Sequence, residues 1–223
     1  MKNNLRQPIK LKNTILVFLL ALPLTSVCQT GLALWSGISI EKKLNKKFSM
    51  NVNAQTRFVE DLSYMQTYLG ELGISYKVSK KLEISGNYRF INRRKNETKL
   101  FINRHRFYGD VSYDQKIGIL KLDYRFRYQH QFKDNDGEIG FDASYLRNKL
   151  ELAYPNSSKF TPYISGDLFY EFGGTFDQLR PKAGLGYKFN KKHSLDVSIF
   201  TNVDLIDHLS PSPIIGLTYK LKL

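Results

Sequence analysis

The chain has 223 residues, a formal net charge of +14 and a mean hydropathy of −0.37. This length suits one domain, because all-β barrels of this size commonly form a single unit. The hydropathy excludes a bundle of membrane-spanning helices, and the aromatic and β-branched content excludes a disordered chain. The charge alone would fit nucleic acid, an anionic membrane surface or acidic solutes, so its placement along the chain must decide among them.

The N-terminal segment has the three parts of an export signal. An apolar run at 15–27 is too short for a membrane-spanning helix, which needs about 20 residues, and is typical of a signal peptide. The basic residues before it are Lys2, Arg6, Lys10 and Lys12. Small residues Ser26 and Cys28 precede the expected cleavage site. We therefore predict a signal peptide at 1–28 and an exported mature domain at 29–223.

Cys28 is the only cysteine of the chain and would leave with the signal peptide. The mature chain would then hold no thiol, which excludes disulfides, thiol catalysis and cysteine-based metal sites. The alternative is lipid attachment at Cys28. Against it, Val27 is larger than the small residue that usually precedes a lipid-modified cysteine.

From Leu32 onward, apolar and polar residues alternate with a period of two, and short polar turns interrupt the pattern. This alternation predicts β-strands, because successive side chains of a strand point to opposite faces. Most predicted strands match the tilted span of a membrane barrel, about 9–11 residues. They lie at about 32–41, 48–58, 64–77, 82–93, 100–114, 119–132, 143–154, 160–172, 178–189, 194–204 and 213–223.

The segment 119–132 shows the two faces most clearly. Its apolar face carries Leu120, Leu122, Tyr124, Phe126, Tyr128 and Phe132. Its polar face carries Lys121, Asp123, Arg125, Arg127, Gln129 and Gln131. A helix would scatter both sets around its circumference, so the pattern indicates a strand with one apolar and one polar face.

Several connections are predicted to be short and mostly basic, at 45–47, 79–81, 114–116, 155–159 and 190–192. The connections between them are predicted to be longer, as at 133–142 and 205–212. Short turns at one end and longer loops at the other are typical of outer-membrane barrels, with the short turns in the periplasm. The pattern therefore predicts an orientation as well as a fold.

Aromatic side chains cluster beside the short turns on the apolar face: Phe48, Tyr76, Tyr113, Tyr154, Phe160, Tyr187 and Phe189. Amphipathic rings at the ends of an apolar band form the girdle of a membrane interface. The strand propensity of Tyr and Phe explains their abundance but not this clustering. The aromatic placement therefore favours a membrane barrel over a soluble β-domain.

The last predicted strand carries a targeting feature. Gly216, Tyr219 and Leu221 have the spacing of the signal that the bacterial barrel-assembly machinery reads, although Ile214 replaces a polar residue and Leu223 replaces a terminal aromatic. We expect this machinery and the lipids of the cell outer membrane to be the partners of the chain.

The predicted segments number eleven. Bacterial single-chain barrels normally have an even number of strands, with both termini in the periplasm. Either a strand is missing from the prediction or one predicted segment lies outside the barrel. The expected fold is an all-β, antiparallel up-and-down transmembrane barrel of about twelve strands, with ten as the second choice.

Charged residues dominate the polar face, which would line the interior. They are Arg57, Glu71, Arg89, Arg104, Arg106, Asp110, Asp123, Arg125, Arg127, Arg147, Lys149, Glu151, Asp167, Glu171, Arg180 and Lys182. Opposite charges are expected to pair across so narrow an interior, because a buried charge is tolerated only when it is paired and hydrogen-bonded. Two interpretations follow: a closed, salt-bridged structural barrel, which is favoured, or a porin-like passage that prefers anions because arginine outnumbers carboxylate.

His105 and His130 fall on the apolar face of adjacent predicted strands, where an enzyme acting on lipid or lipopolysaccharide would work. The strand phase gives neither histidine an obvious serine or carboxylate partner. We therefore expect no enzyme and no catalytic residues, and keep a lipid- or lipopolysaccharide-modifying enzyme as the alternative.

The sequence contains no phosphate loop, dinucleotide fingerprint or paired metal ligands, so we expect no cofactor and no metal. Nucleic-acid binding is not expected either, because export removes the chain from nucleic acid. In addition, the basic residues divide between turns and interior rather than forming one patch.

Several stretches resemble an uncharacterised bacterial outer-membrane family, known as domain of unknown function 2490. They are 34–37 (LWSG), 41–44 (EKKL), 57–58 (RF), 73–77 (GISYK), 87–90 (NYRF), 147–150 (RNKL), 161–166 (TPYISG) and 185–189 (LGYKF). The resemblance covers nearly all of the mature chain and implies a barrel in the outer membrane. It implies no active residues, because none is established for the family.

Overall fold

The computed structural model describes residues 31–95, 100–135, 137–207 and 212–223. The predicted signal peptide at 1–28 lies outside these residues. Across the described ranges, no helix is long and apolar enough to cross a membrane.

The described residues form a single twelve-stranded sheet, so the predicted all-β class is confirmed. Its strands are β1 (Ala33–Lys43), β2 (Phe48–Val59), β3 (Tyr64–Lys77), β4 (Leu82–Arg94), β5 (Phe101–Ile117), β6 (Leu120–Asn135), β7 (Glu138–Ala153), β8 (Phe160–Glu171), β9 (Phe176–Lys188), β10 (His193–Phe200), β11 (Val203–Asp204) and β12 (Ile214–Lys222). Consecutive strands from β1 to β10 pair in antiparallel fashion, which gives the up-and-down order that the sequence predicts.

The sheet closes into a barrel through β12, which pairs with β10 on one side and with β1 on the other. Eleven strands form the closed barrel. The remaining strand, β11, has only two residues. It pairs with β9, as β10 does, and therefore continues β10 after a short break. The expected count of about twelve holds for the sheet as a whole, while the eleven predicted segments correspond to the strands of the closed wall.

The odd number is accommodated by a parallel seam. Residues of β1 from Ala33 to Glu41 pair with residues of β12 from Ile214 to Lys222, and the two strands run in the same direction. The described residues thus close the barrel with an odd number of strands, in contrast to what the parity rule suggested. As a result, the two ends of the described chain lie at opposite ends of the barrel: Leu32 N donates to Asp61 Oδ1 at 2.8 Å, and Leu223 N donates to Glu41 O at 2.8 Å.

We call the end that carries the connections 44–47, 78–81, 118–119, 154–159 and 189–192 the basic end. The predicted long connection 133–142 at the opposite end is wrong, because β6 continues to Asn135 and β7 begins at Glu138. Gly137 has a φ of 97° and its N–H bonds Asp134 Oδ1 at 2.8 Å, so a tight turn replaces the loop. The prediction failed because the polar residues of this hairpin have the composition that is typical of a loop. Judged by the bounds of the described strands, 205–213 is the only connection at this end longer than six residues, so the predicted asymmetry of connection lengths is largely absent.

The two faces of the sheet are inverted relative to a soluble domain. Large apolar side chains of the outer face are open, with Leu72 50%, Ile74 54% and Ile164 60% exposed. Polar and charged side chains of the inner face are buried; Gln129, for example, is 2% exposed and Arg127 is 5% exposed. The only cluster of buried apolar residues found among the described ranges is small and lies at the seam: Ala33, Phe200 and Ile214, packed against Trp35 and Val59.

Candidate functional site

Two cavities occupy the interior, with volumes of about 500 Å³ and 290 Å³. Both are lined by Trp35, Arg57, Arg89, Arg147 and Arg180, so they adjoin the same layer of the wall. Most predicted lumen residues line one or both: Arg57, Glu71, Arg89, Arg104, Arg106, Arg125, Arg127, Arg147, Lys149, Asp167, Glu171, Arg180 and Lys182.

The other three predicted lumen residues line neither cavity and instead make ion pairs on the wall. Asp110 is buried against Arg127, whereas Glu151 accepts from Lys149 Nζ at 2.6 Å. Asp123 lies 2.9 Å from Lys121 Nζ on strand β6 near the basic end, and both side chains are about two-fifths exposed. The structure therefore brings thirteen of the sixteen predicted residues to the cavities.

The ion pairs run along the wall instead of across the interior, so the expectation of cross-lumen pairing is wrong. Arg127 donates to both carboxylate oxygens of Asp110 on the neighbouring strand, at 2.6 and 2.7 Å. Arg89 contacts one oxygen of Glu71, Oε2, through both Nε and Nη2. Within the described ranges, the ion pairs join residues of one strand, of adjacent strands or of strands that are next but one. The reason is geometric, because facing residues on neighbouring strands are about 5 Å apart, much closer than the far wall.

Aromatic rings support several of these cations. The Arg57 guanidinium carbon lies 3.6 Å from the Trp35 ring centre, and Arg127 lies 3.7 Å from that of Tyr108. Such cation–π contacts gain strength where the pair is shielded from water. Sequence reasoning missed these rings, although a signal was present: Tyr108 stands two positions from Asp110, and therefore on the same face of its strand.

Positive charge is in excess around the larger cavity. Seven arginines line it, against the carboxylates of Asp142, Glu171 and Asp177. Arg93 is among these arginines and was also missed by sequence reasoning, although it shares the inner face with Arg89 four positions earlier. Within the described ranges, no three His, Cys, Asp or Glu side chains are grouped so that they could hold a metal ion.

The predicted girdle residues lie on the outer face beside the basic end. The rings of Phe48 and Tyr76 are 4.9 Å apart between centres, and those of Phe160 and Tyr187 are also 4.9 Å apart. Phe189 continues the second group at 5.0 Å from Tyr187. Tyr113 and Tyr154 are exposed on other parts of the circumference.

Both predicted histidines lie on the outer face. The expectation that neither has a serine or carboxylate partner is wrong for His130, whereas the partner of His105 is a tyrosine. His130 Nδ1 is 2.5 Å from Ser144 Oγ, and His105 Nδ1 is 2.7 Å from the Tyr88 hydroxyl. Ser144 stands directly opposite His130 in the β6–β7 register. A strand's own pattern does not fix its register against its neighbour, so this contact was not visible in the sequence.

A closed sheet with an apolar outside and a charged, cavity-bearing inside defines an up-and-down β-barrel with a polar lumen. The chain belongs to the family described as Protein of unknown function (DUF2490), whose model matches residues 32–204. This confirms the resemblance drawn from the sequence motifs. Among curated proteins, none matches the chain significantly.

Proposed function

We propose that this protein is a bacterial outer-membrane β-barrel whose outer face contacts lipid. The single observation that carries the proposal is the inverted sheet: apolar side chains are exposed outside while charged side chains are buried inside. Exposing so much contiguous apolar surface to water would be costly, whereas hydrocarbon accommodates it. The aromatic rings near the basic end support the same assignment, because they would lie at a headgroup interface.

The basic end is assigned to the periplasm. The C-terminal strand ends there, with Leu223 bonded to Glu41, and its Gly216, Tyr219 and Leu221 pattern supports recognition by the barrel-assembly machinery from that side. The signal peptide predicted at 1–28 supports export across the inner membrane.

Cell fractionation tests the location. We expect the full-length chain, expressed with its own N-terminus, to appear in the outer-membrane fraction and to migrate differently on gels before and after boiling. A freely soluble periplasmic product whose migration does not change on boiling would contradict the proposal.

We further propose that the lumen admits small anions. The ion pairs lie along the wall and leave two cavities that adjoin one arginine layer, so the charges do not form a plug across the barrel. The excess of arginine over carboxylate at the larger cavity would attract anions and repel cations.

Planar-bilayer recording under a potassium chloride gradient tests this passage. An anion-favouring lumen predicts a reversal potential displaced toward the chloride equilibrium value, and a smaller displacement in the double variant Arg57→Gln, Arg180→Gln. Absence of conductance, or a reversal potential displaced toward potassium, would contradict the passage and leave a structural barrel.

Enzymatic modification of lipid is not part of the proposal, although the His130–Ser144 hydrogen bond is the feature that would favour it. Ser144 is only 7% exposed, so its hydroxyl is covered rather than presented to a substrate. Purified protein should release no fatty acid from labelled phospholipid or lipopolysaccharide. Release that disappears in His130→Ala would establish the enzyme instead.

A further inference from the structure

We propose that the larger cavity contains a specific binding site for a small multivalent oxyanion, formed by Arg57, Arg106 and Arg180. The site deepens the proposed anion passage and rests on it only for how the ligand arrives. Its basis is the way these three guanidiniums are held, which differs from that of most other lumen arginines.

Each of the three is oriented by a neutral amide. Arg57 Nε donates to Gln55 Oε1 at 2.9 Å, and Arg106 Nε donates to Gln131 Oε1 at 2.9 Å. Arg180 Nε donates to Asn202 Oδ1 at 2.6 Å. An amide oxygen fixes the direction of a guanidinium without neutralising its charge.

Most of the other lumen arginines, although not Arg93, are compensated differently. Arg89, Arg104, Arg127 and Arg147 each pair with a carboxylate on the barrel wall. By contrast, none of the carboxylates in the described ranges forms an ion pair with Arg57, Arg106 or Arg180. Arg180 stands opposite Asp167 in the β8–β9 register and interacts with it electrostatically without forming an ion pair. The wall therefore neutralises the first set of arginines more fully than Arg57, Arg106 and Arg180, which keep charge available to a ligand.

The three arginines of the proposed site are close enough to act together. Arg57 and Arg180 lie against the same indole, with guanidinium carbons 3.6 and 5.1 Å from the Trp35 ring centre. Arg57 also interacts electrostatically with Arg106. Like charges held together in a partly dehydrated space repel one another, and a bound anion would relieve this repulsion.

The chemistry selects the ligand class. Guanidinium groups recognise phosphate and carboxylate oxygens through paired N–H donors, and several of them favour an anion that carries more than one charge. A cavity of about 500 Å³ has room for a small organic anion or an oligophosphate. Phosphate-type and polycarboxylate ligands share this chemistry, so pyrophosphate and citrate are the two probes that distinguish them.

Trp35 provides a direct reporter, because it is the only tryptophan in the chain and two of the three arginines lie against its ring. Protein purified in neutral detergent micelles at physiological salt is titrated with pyrophosphate, citrate or sodium chloride of matched ionic strength, and calorimetry provides an independent reading. We expect a saturable change of Trp35 fluorescence with at least one multivalent probe and none with chloride.

The variants separate a local site from general charge. Arg106 is held by Gln131, whereas Arg57 and Arg180 lie against the Trp35 reporter, so Arg106→Gln is the variant chosen. It should raise the half-saturating concentration of the probe at least tenfold, equivalent to about 1.4 kcal/mol. The matched control is the double variant Lys220→Gln, Lys222→Gln, which removes two positive charges instead of one, from the part of β12 that leads to the basic end. It should change the half-saturating concentration less than twofold. Unchanged gel migration of the unboiled variants verifies that they are folded.

Equal losses in the control and in Arg106→Gln would overturn the site and leave only a diffuse cationic field. Absence of saturable binding by either probe in the wild-type protein would also overturn it. The binding assay does not depend on passage across a membrane, so the two proposals can fail separately. Binding without conductance would support the site and contradict the passage. Conductance without binding would support the passage and contradict the site.

Discussion

Replacing Asp110 with asparagine should destabilise the barrel more than any change at the lumen mouth. Asp110 is 9% exposed and holds Arg127, which is 5% exposed, through two hydrogen bonds of 2.6 and 2.7 Å. The variant keeps the shape of the side chain but leaves a buried guanidinium without its counter-charge. Breaking a buried pair in this way costs about 3–5 kcal/mol.

The surplus of positive charge predicts an asymmetry between the two halves of this pair. Arg125 interacts electrostatically with both Asp110 and Arg127. In Asp110→Asn, Arg125 and Arg127 repel each other without a carboxylate between them. In Arg127→Gln, Asp110 retains Arg125 as a partner, so this variant should lose clearly less stability.

The free energy of unfolding is measured by reversible urea titration in lipid vesicles, followed through Trp35 fluorescence. The matched control is Asp123→Asn. The side chain of its partner, Lys121, is 37% exposed, so loss of this ion pair should lower the free energy of unfolding by only about 0–1 kcal/mol. The reasoning is refuted if Asp110→Asn loses no more stability than Asp123→Asn, or if Arg127→Gln loses more than Asp110→Asn.

Two further predictions use paired substitutions and the same unfolding titration. Gly37→Ala should lower the free energy of unfolding by about 1–3 kcal/mol, because the new Cβ would lie 2.7 Å from the Ala54 carbonyl oxygen. The matched Gly70→Ala meets nothing within 4 Å and should raise it by about 0.4–1 kcal/mol. Equal effects of the two substitutions would argue against the close approach of β1 and β2. Leu72→Arg on the outer face should lower the free energy of unfolding by about 2–4 kcal/mol, whereas Ile119→Arg in the connection at the basic end should lower it by about 0–1 kcal/mol. A Leu72→Arg variant as stable as the wild type would contradict lipid contact.

Local alternation carries most of the information about faces. The period of two in β6 places Arg125 and Arg127 inside and Tyr124 and Tyr128 outside, as predicted, because one face follows from the other once a strand is recognised. Polarity misleads at turns, since the hairpin around Gly137 reads as a loop although its strands continue. Turn type depends on a single residue with positive φ more than on mean polarity.

Long-range pairing could not be predicted from the sequence. The parallel seam of β1 with β12 depends on how a closed sheet meets itself, and no local pattern encodes it. The same limit applies to the partners of individual side chains, such as Ser144 opposite His130 and Gln131 beside Arg106. The sequence therefore predicts which charges face inward, but not which of them remain uncompensated.

Lipid contact of the outer face is the central claim, and it is tested most directly by single cysteines along β6 in a Cys28→Ser background. Each cysteine carries an environment-sensitive fluorophore, and the protein is reconstituted in vesicles with either a spin-labelled lipid or a water-soluble quencher. Leu122, Tyr124 and Phe126 should be quenched by the lipid, and Asp123 and Arg125 should not. Equal quenching of both sets by the lipid, or quenching of the first set only from water, would contradict a membrane barrel.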